Sequence, residues 1–206
     1  MFKSVKSEAF YEVEISKSKF LGYIKPILNI NEAVDFIKRL RAEHKTANHV
    51  CFSYIADIQG NVVKFSDDNE PSGTAGMPIL ECLKANDLRC IVLVIVRYFG
   101  GIKLGAGGLT RAYFNCASET IKSAKICNYF KSIKTKIECA YESFKILEKL
   151  ITKFDAIIEK SEYHKEITIF IYIKEDDIKN FNLSLNEIFN KKIALPIIEN
   201  LYKQFD

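Results

Sequence analysis

The chain has 206 residues, 48% of them hydrophobic and 27% charged, which is the composition of a globular protein with one large or two small domains. Its net charge of +4 is too small to identify a nucleic-acid-binding protein by itself, and without a run of about eighteen apolar residues no membrane-spanning helix is expected. No apolar export signal is visible near the N-terminus, and the six cysteines form no Cys-x-x-Cys pair. We therefore expect a cytoplasmic protein with reduced thiols, no metal site and no membrane partner.

The first part of the chain alternates between strand and helix patterns. Asn29, followed by Glu32 three residues later, resembles a capping box and predicts the start of a helix, whose basic side chains, Arg41 among them, are expected on a solvated face. Residues 90–96 are continuously apolar and rich in β-branched side chains, which predicts a strand buried on both faces. The predicted strands are 8–15, 20–27, 50–56, 62–65 and 90–96, and the predicted helices are 30–44, 77–88 and 109–124.

Two loops differ from the other connections because each contains glycine and each precedes a predicted helix. The first, residues 67–76, has the sequence DDNEPSGTAG, and its candidate site residues are Asp67, Asp68, Glu70, Ser72, Gly73 and Thr74. The second lies in residues 97–113, RYFGGIKLGAGGLTRAY, which hold five of the nine glycines in the chain. Its candidate site residues are Arg97, Lys103, Gly105, Gly107, Gly108 and Arg111.

The second loop has features that suit an anion. Glycine lets the backbone approach a ligand closely, and the first N–H groups of the following helix have no partner within that helix. The positive end of the helix dipole and the nearby cations would favour a phosphate or a carboxylate. The spacing matches neither a Walker A loop nor a GxGxxG dinucleotide motif. The alternative is that the glycines only allow the loop to pack tightly.

The two loops could form one site. If the helices that follow them lie side by side on one sheet, their N-termini would open on the same edge, with His49 close by at the start of a strand. The carboxylates of the first loop would then face Arg97, Lys103 and Arg111. Three interpretations remain open: an internal salt-bridge network that fixes the loops, a surface for anions or nucleic acid, and a catalytic or metal site.

A catalytic site in these loops would need an acid, a base and a nucleophile. His49 with Asp67 or Asp68 could supply the acid and the base, and Ser72 or Thr74 could supply the nucleophile. The sequence contains neither a nucleophile elbow nor an HExxH motif. A histidine at a strand edge is more often a packed, hydrogen-bonded residue than a catalyst.

A domain boundary is predicted near residue 130, where the composition changes. Residues 1–130 hold 17 Lys and Arg against 13 Asp and Glu, whereas residues 131–206 hold 13 Lys, no Arg and 13 Asp and Glu. Because Arg is the better partner for phosphate and carboxylate groups, an anionic partner is expected for the first domain. The second has the order βαββαβ of a ferredoxin-like unit. Its predicted strands are 132–139, 155–161, 165–173 and 191–199, and its predicted helices are 142–153 and 175–190.

Phe170 and Tyr172 alternate with isoleucines in one strand of this second domain. Aromatic side chains on a four-stranded sheet stack RNA bases in one class of RNA-binding module. The sequence lacks the glycine-aromatic motif of that class, and the domain is neutral. We therefore expect these two side chains to serve packing.

Four segments of the sequence resemble the IMPACT/YigZ family, in its bacterial two-domain form. They are KSKF at 17–20, ANHVC at 47–51, DDNEPSGTAG at 67–76 and RYFGGIKLGAGGLTRAY at 97–113. The segments cover most of residues 16–120, and the βαββαβ pattern matches the second domain of the bacterial members. Two positions depart from the usual pattern of the family: Asn48 replaces Thr, and Asn69 replaces Gly. Asn tolerates positive φ, so a left-handed turn is expected at residue 69.

The resemblance implies an α+β fold with two domains. Residues 1–130 would be similar to the second domain of ribosomal protein S5, and residues 131–206 would form a ferredoxin-like domain similar to one in translation elongation factor G. Other S5-like proteins bind RNA, or bind nucleotide phosphates at a glycine loop before a helix, as the GHMP kinases do. Eukaryotic IMPACT regulates translation under amino-acid stress through protein contacts, and that form carries an extra N-terminal domain.

We therefore expect a non-enzymatic regulatory protein that acts on translation through contacts with RNA, the ribosome or a protein of the translation apparatus, without a cofactor. The cations and glycines of the second loop would bind the partner, and the acidic loop would orient them. The alternative is an enzyme acting on a small phosphorylated or carboxylated substrate in a cleft between the loops, with His49 and Asp68 as acid–base groups and Arg111 as the anion-binding group. A third alternative is a protein-binding module whose loops are purely structural.

Overall fold

The computed structural model describes residues 1–205 as two compact units. One unit is Phe2–Cys127, and the other begins at Asn128 and includes Met1. The sequence placed the division after residue 130. Two antiparallel sheets, with helices packed against them, make this an α+β protein, as predicted.

The N-terminal unit contains a five-stranded sheet in the order β2-β3-β6-β4-β5, in which every pair of neighbours is antiparallel. The short strand β1 was not predicted; it lies beside residues 88–90, where the Arg89 N–H donates to the Lys3 carbonyl. The strands are β1 Phe2–Val5, β2 Ala9–Ile15, β3 Ser18–Pro26, β4 His49–Ile55, β5 Val63–Ser66 and β6 Ile91–Tyr98. The helices are α1 Ile30–Glu43, α2 Gly76–Ala85 and α3 Gly105–Ser123.

Strand β6 is buried on both faces, which confirms the prediction from its apolar run. Leu93 and Ile95 lie in the cluster formed with α2 and α3, and Val92 and Val94 lie in the cluster formed with α1. The sheet is therefore the middle layer of the unit. The predicted capping box is also present: Asn29 Oδ1 accepts from the N–H of Glu32.

Helices α2 and α3 begin at the same edge of the sheet. Strand β4 runs antiparallel to both β5 and β6, so β5 and β6 point in one direction. Because α2 follows β5 and α3 follows β6, both helices start at the carboxyl ends of those strands. His49, the first residue of β4, is paired with Arg97 at the same edge, which we call the loop edge. The structure therefore confirms the expected placement of the two helix N-termini and of His49.

The C-terminal unit has the predicted βαββαβ order and the strand order β10-β7-β9-β8. The predicted strand at 191–199 is wrong, because the strand occupies Glu199–Gln204 instead. Asn190 ends the preceding helix in a left-handed conformation, and Pro196 lacks the N–H that a strand would need. The elements are β7 Ile126–Cys139, α4 Tyr141–Lys153, β8 Ile157–Tyr163, β9 Ile167–Lys174, a 3₁₀ turn Glu175–Asp177, α5 Ile178–Phe189 and β10 Glu199–Gln204.

The two aromatic side chains of β9 lie under lysines. The Lys160 ammonium is 4.5 Å from the centre of the Phe170 ring, and the Lys203 ammonium is 4.5 Å from the centre of the Tyr172 ring. Tyr172 is buried, and its hydroxyl donates to Glu159. These contacts support packing as the role of the two rings. None of the helices within residues 1–205 has the length and apolar character needed to cross a bilayer.

Candidate functional site

The Asp67 carboxylate fixes the first loop to the start of α2. Its Oδ2 accepts from the N–H of Gly73 at 2.9 Å, and its Oδ1 accepts from the N–H groups of Ala75 at 3.0 Å and Gly76 at 2.8 Å. The residue at the N-cap position of α2, Ala75, has no capping side chain. Asp67 therefore takes over that role from eight residues earlier in the chain and complements the positive end of the helix dipole.

Replacement of Asp67 by alanine is expected to lower the free energy of unfolding by about 2 kcal/mol, because three buried N–H groups lose their acceptor. Asp67→Asn should fall between the variant and the wild type, since it keeps one carbonyl oxygen. Urea denaturation measures the loss, and hydrogen exchange should quicken at Gly73, Ala75 and Gly76. The matched control is Asp35→Ala on the exposed face of α1, which should change stability by less than about 0.5 kcal/mol. Equal losses for the two alanine variants would contradict this role.

Asp68 joins the first loop to α1 and β4. One oxygen of its carboxylate accepts from Arg41 Nη2 at 2.7 Å, and the other accepts from the Val50 N–H at 2.7 Å. The prediction of a solvated Arg41 is therefore wrong, because the first loop folds back over the end of α1. Asp68 and Asn69 have φ values of 45° and 68°, which confirms the left-handed turn expected at Asn69.

His49 contacts the backbone of Asp68 rather than its carboxylate. Its Nδ1 lies 2.9 Å from the Asp68 carbonyl oxygen, and because a carbonyl only accepts, Nδ1 carries the proton. Its Nε2 is 3.7 Å from Glu70 Oε1. Of the two proposed nucleophiles, Thr74 is buried and donates to the Pro71 carbonyl, whereas Ser72 is exposed. A His–Asp carboxylate pair is thus not formed in this arrangement.

The two loops are joined by a buried ion pair. Arg97 Nη1 donates to Glu70 Oε1 at 2.6 Å, and Tyr113 donates its hydroxyl proton to the same oxygen at 2.8 Å. The side chains of Arg97 and Glu70 are only 5% and 3% exposed. The guanidinium lies between two rings, with its central carbon 5.3 Å from the centre of Phe20 and 5.5 Å from that of Phe99. For Glu70 and Arg97, the structure therefore matches the internal salt-bridge network that the sequence left open.

Two buried groups beside this ion pair act as proton donors. Burial, together with the neighbouring Cys51 and Glu70, raises the pKa of the Tyr113 hydroxyl far above its usual value. Burial also raises the pKa of the Cys51 thiol, whose sulfur donates to the Asp67 carbonyl. Both groups are protonated at neutral pH. Cys51 therefore lacks the thiolate that a nucleophile needs.

The glycines of the second loop have different reasons for their positions. A Cβ on Gly100 would lie 1.9 Å from the Lys17 carbonyl oxygen, so only glycine fits there. Gly105 has a φ of 69°, a backbone conformation that favours glycine. Gly107 and Gly108 lie in the first turn of α3, which has no side-chain cap and no acidic residue.

Several cations at the loop edge stay unpaired. Lys17, Lys103 and Arg111 are exposed, and none of them forms an ion pair with any residue of the described chain, 1–205. They lie near the exposed side chains of Phe99 and Ile102, which are 44% and 45% exposed. We call these five residues the glycine-loop surface. The structure thus separates Arg97, which is buried, from Lys103 and Arg111, which face solvent.

Sequence reasoning missed Lys17, Phe99, Ser18 and Tyr113 as parts of this region. Ser18 Oγ accepts from Arg97 Nη2 at 3.3 Å and from the Gly100 N–H at 3.2 Å. The segment KSKF was noted only as part of a resemblance, and its turn faces the second loop through the pairing of β3 with β6. No group of three or more His, Cys, Asp or Glu side chains in residues 1–205 is arranged to hold a metal ion.

Comparisons with known proteins agree on one family. Residues 16–121 match the family described as the Impact N-terminal domain. An IMPACT family member from Haemophilus influenzae is 32% identical over 94% of this chain and 95% of its own length. IMPACT family member YvyE from Bacillus subtilis is 32% identical over 92% of this chain and 87% of its own length. A crystal structure described as that of a hypothetical protein superposes with a TM-score of 0.62 at 28% identity, and the match covers 96% of this chain and 97% of the other.

Proposed function

The chain belongs to the IMPACT family, and from that premise we propose that it is a cytoplasmic regulatory protein that acts on translation by binding RNA at the glycine-loop surface. We further infer that the N-terminal unit is similar to the second domain of ribosomal protein S5, and that the C-terminal unit is ferredoxin-like and similar to a domain of elongation factor G. The βαββαβ order and the strand order β10-β7-β9-β8 support the second assignment.

The observation that carries the functional proposal is the unequal pairing of charges at the loop edge. Asp67, Asp68 and Glu70 all bind groups of the protein itself, so the acidic loop has little capacity left for an external cation. The exposed cations Lys103 and Arg111 have no such partner in residues 1–205. An uncompensated cluster of cations attracts a polyanion, and RNA supplies one phosphate charge per nucleotide.

The enzyme alternative has less support from the geometry. His49 donates to the backbone carbonyl of Asp68, and the carboxylate of Asp68 already accepts from Arg41 and from the N–H of Val50. An acid–base pair needs direct hydrogen bonding between its two side chains or through one water. The fixed position of His49 is explained by the two loops that it contacts.

The proposal predicts that Lys103→Ala/Arg111→Ala weakens RNA binding and reduces its salt dependence. Each lost phosphate contact on a single strand lowers the slope of log affinity against log salt by about 0.7, so the double variant should lose about 1.4. Fluorescence anisotropy of a labelled single-stranded RNA, titrated between about 50 and about 200 mM salt, measures both quantities. Arg97 is left intact because its burial would confuse binding with unfolding.

The matched control is Lys145→Ala/Lys149→Ala on α4, which also removes two exposed positive charges. This control should keep the wild-type slope and nearly the wild-type affinity, because its charges lie outside the glycine-loop surface. If both double variants lose affinity equally, binding follows net charge alone and the proposed surface is wrong. If the wild-type chain has no affinity for RNA, the proposal fails as a whole.

A further inference from the structure

We propose that Phe99 is a stacking platform for an unpaired base, so that the glycine-loop surface takes single-stranded RNA rather than a duplex. This inference rests on the function proposed above and adds the class of RNA to it. It concerns a side chain that neither the sequence patterns nor the pairing of charges pointed to. The ring, its support and its surroundings each contribute to the argument.

Phe99 is the outermost layer of a stack that starts in the core. Phe20 is fully buried, the Arg97 guanidinium lies 5.3 Å from the centre of its ring, and the Phe99 ring lies 5.5 Å from the same guanidinium on the outside. Glu70 holds the guanidinium in place from the side. Phe99 remains 44% exposed, so the layer that would follow it is solvent. A flat base can occupy that layer and continue the stack.

The backbone holds the ring in position before any ligand arrives. The Phe99 N–H donates to Asn48 Oδ1 at 2.7 Å, and the Gly100 N–H donates to Ser18 Oγ at 3.2 Å. Gly100 also packs directly against the Lys17 carbonyl, which leaves the chain no room to shift on that side. An aromatic side chain on a fixed backbone loses little conformational freedom when it binds, which favours a platform over a mobile loop tip.

The charges around Phe99 suit the phosphates on either side of a stacked base. Lys17 adjoins Gly100 through its backbone, and Lys103 follows Phe99 by four residues; both side chains are exposed and have no ion pair in the described chain. A ring that stacks a base while nearby cations bind the backbone is the arrangement by which proteins hold single strands without reading their sequence. In an A-form duplex the base faces are already stacked on each other, so a duplex could use only the cations.

Other aromatic side chains in the chain do not offer the same platform. On the C-terminal sheet, lysine ammonium groups cover Phe170 and Tyr172, and Tyr172 is buried. An acidic peptide would satisfy the cations of the glycine-loop surface but brings no flat ring to Phe99 from its carboxylates. Single-stranded RNA is therefore the ligand whose chemistry uses both features of the surface.

The first experiment uses the absence of tryptophan from the chain. In the Phe99→Trp variant the indole is the only one present, and a base stacked on it quenches its fluorescence. The control is Phe10→Trp on β2, an exposed position near the opposite end of the pairing of β2 with β3. The ligands are a single-stranded RNA, a duplex of the same sequence, inorganic polyphosphate and polyglutamate. We expect the single strand to quench the Phe99→Trp variant alone, and the other three ligands to leave both variants unchanged.

The second experiment measures affinity. Phe99→Ala should weaken binding of the single strand about ten-fold, as expected for the loss of one stacked base, and should leave polyphosphate binding unchanged. Phe99→Leu keeps an apolar cover over Arg97 and should show the same loss, whereas Phe99→Tyr should restore it. Urea denaturation of all three variants identifies any loss that comes from unfolding.

The outcomes separate this inference from the function on which it rests. If the affinity for RNA depends on Lys103 and Arg111 but the Phe99→Trp variant is not quenched and Phe99→Leu binds as the wild type does, the platform is wrong and the proposed function stands. If polyglutamate quenches as strongly as RNA, the surface takes an acidic protein and the platform is also wrong. If no RNA binds the wild-type chain, both proposals fail.

Discussion

Replacement of Glu70 by alanine is expected to lower the free energy of unfolding by about 3–5 kcal/mol. The variant leaves the Arg97 guanidinium in the interior without a counter-charge, and Tyr113 loses the oxygen to which it donates. The Nε of Arg97 is already buried without a partner among residues 1–205, so this side chain has little alternative solvation. Removal of one member of a buried pair costs more than the pair itself contributes, because a bare buried charge remains.

Urea denaturation of Glu70→Ala measures this loss, and Glu119→Ala is the matched control. Glu119 pairs with Lys122 on the exposed side of α3, and such surface pairs contribute less than about 1 kcal/mol. The double variant Glu70→Met/Arg97→Met should be more stable than Glu70→Ala, since it removes both charges together. A loss for Glu70→Ala no greater than that of Glu119→Ala would show that the ion pair does not hold the two loops together.

Gly100→Ala is expected to lower the free energy of unfolding by about 3 kcal/mol. The new methyl group would lie 1.9 Å from the Lys17 carbonyl oxygen and 2.6 Å from the Ser18 nitrogen. Both atoms belong to the backbone of the hairpin between β2 and β3, so no side-chain rotation relieves the overlap. The loop must move away from the hairpin, and the hydrogen bond from the Gly100 N–H to Ser18 is lost with it.

Gly107→Ala is the control for this substitution. A Cβ at Gly107 meets only Arg111 Nη1, at the ordinary distance of 3.7 Å, and the residue lies in the first turn of α3. Alanine should therefore be neutral or stabilise α3 by up to about 1 kcal/mol. Thermal and urea denaturation of the two variants should show effects of opposite sign or very different size. Similar stabilities would mean that the hairpin and the second loop are not in contact in solution.

The parts of the fold that could be predicted from sequence are those encoded locally. The apolar run of β6 is long enough to identify a strand covered on both faces, and Asn29 with Glu32 marks the start of α1. Strand β1 could not be predicted, because its four residues are defined by contacts with residues 88–90. The last strand was misplaced because the apolar residues 193–198 resemble a strand, although Pro196 interrupts them.

For the candidate site, the sequence identifies the two loops but not the partner of each charge. Arg97 could be expected at the surface because it opens a glycine-rich segment, yet the pairing of β6 between β3 and β4 places it inside. Arg41 and Asp68 are 27 residues apart, and no local pattern reveals their contact. The left-handed turn at Asn69 could be predicted, because it depends on the conformational tolerance of one residue type.

The structure divides the charged residues of the loop edge into two groups with different roles. The buried pair of Glu70 and Arg97 joins the loops and supports the Phe99 ring from below. The exposed Lys17, Lys103 and Arg111 have no partner in the described residues and remain able to bind a ligand. Substitutions in the first group should therefore change stability, and substitutions in the second group should change binding with the stability preserved.

The salt dependence of single-stranded RNA affinity, compared between the wild-type chain and Lys17→Ala/Lys103→Ala/Arg111→Ala, tests this division most directly. Three phosphate contacts predict a slope of log affinity against log salt of about −2 for the wild-type chain, and a slope close to zero for the triple variant at unchanged stability. Equal slopes for the two proteins, or no measurable affinity for RNA in the wild-type chain, would contradict an RNA-binding role for the glycine-loop surface.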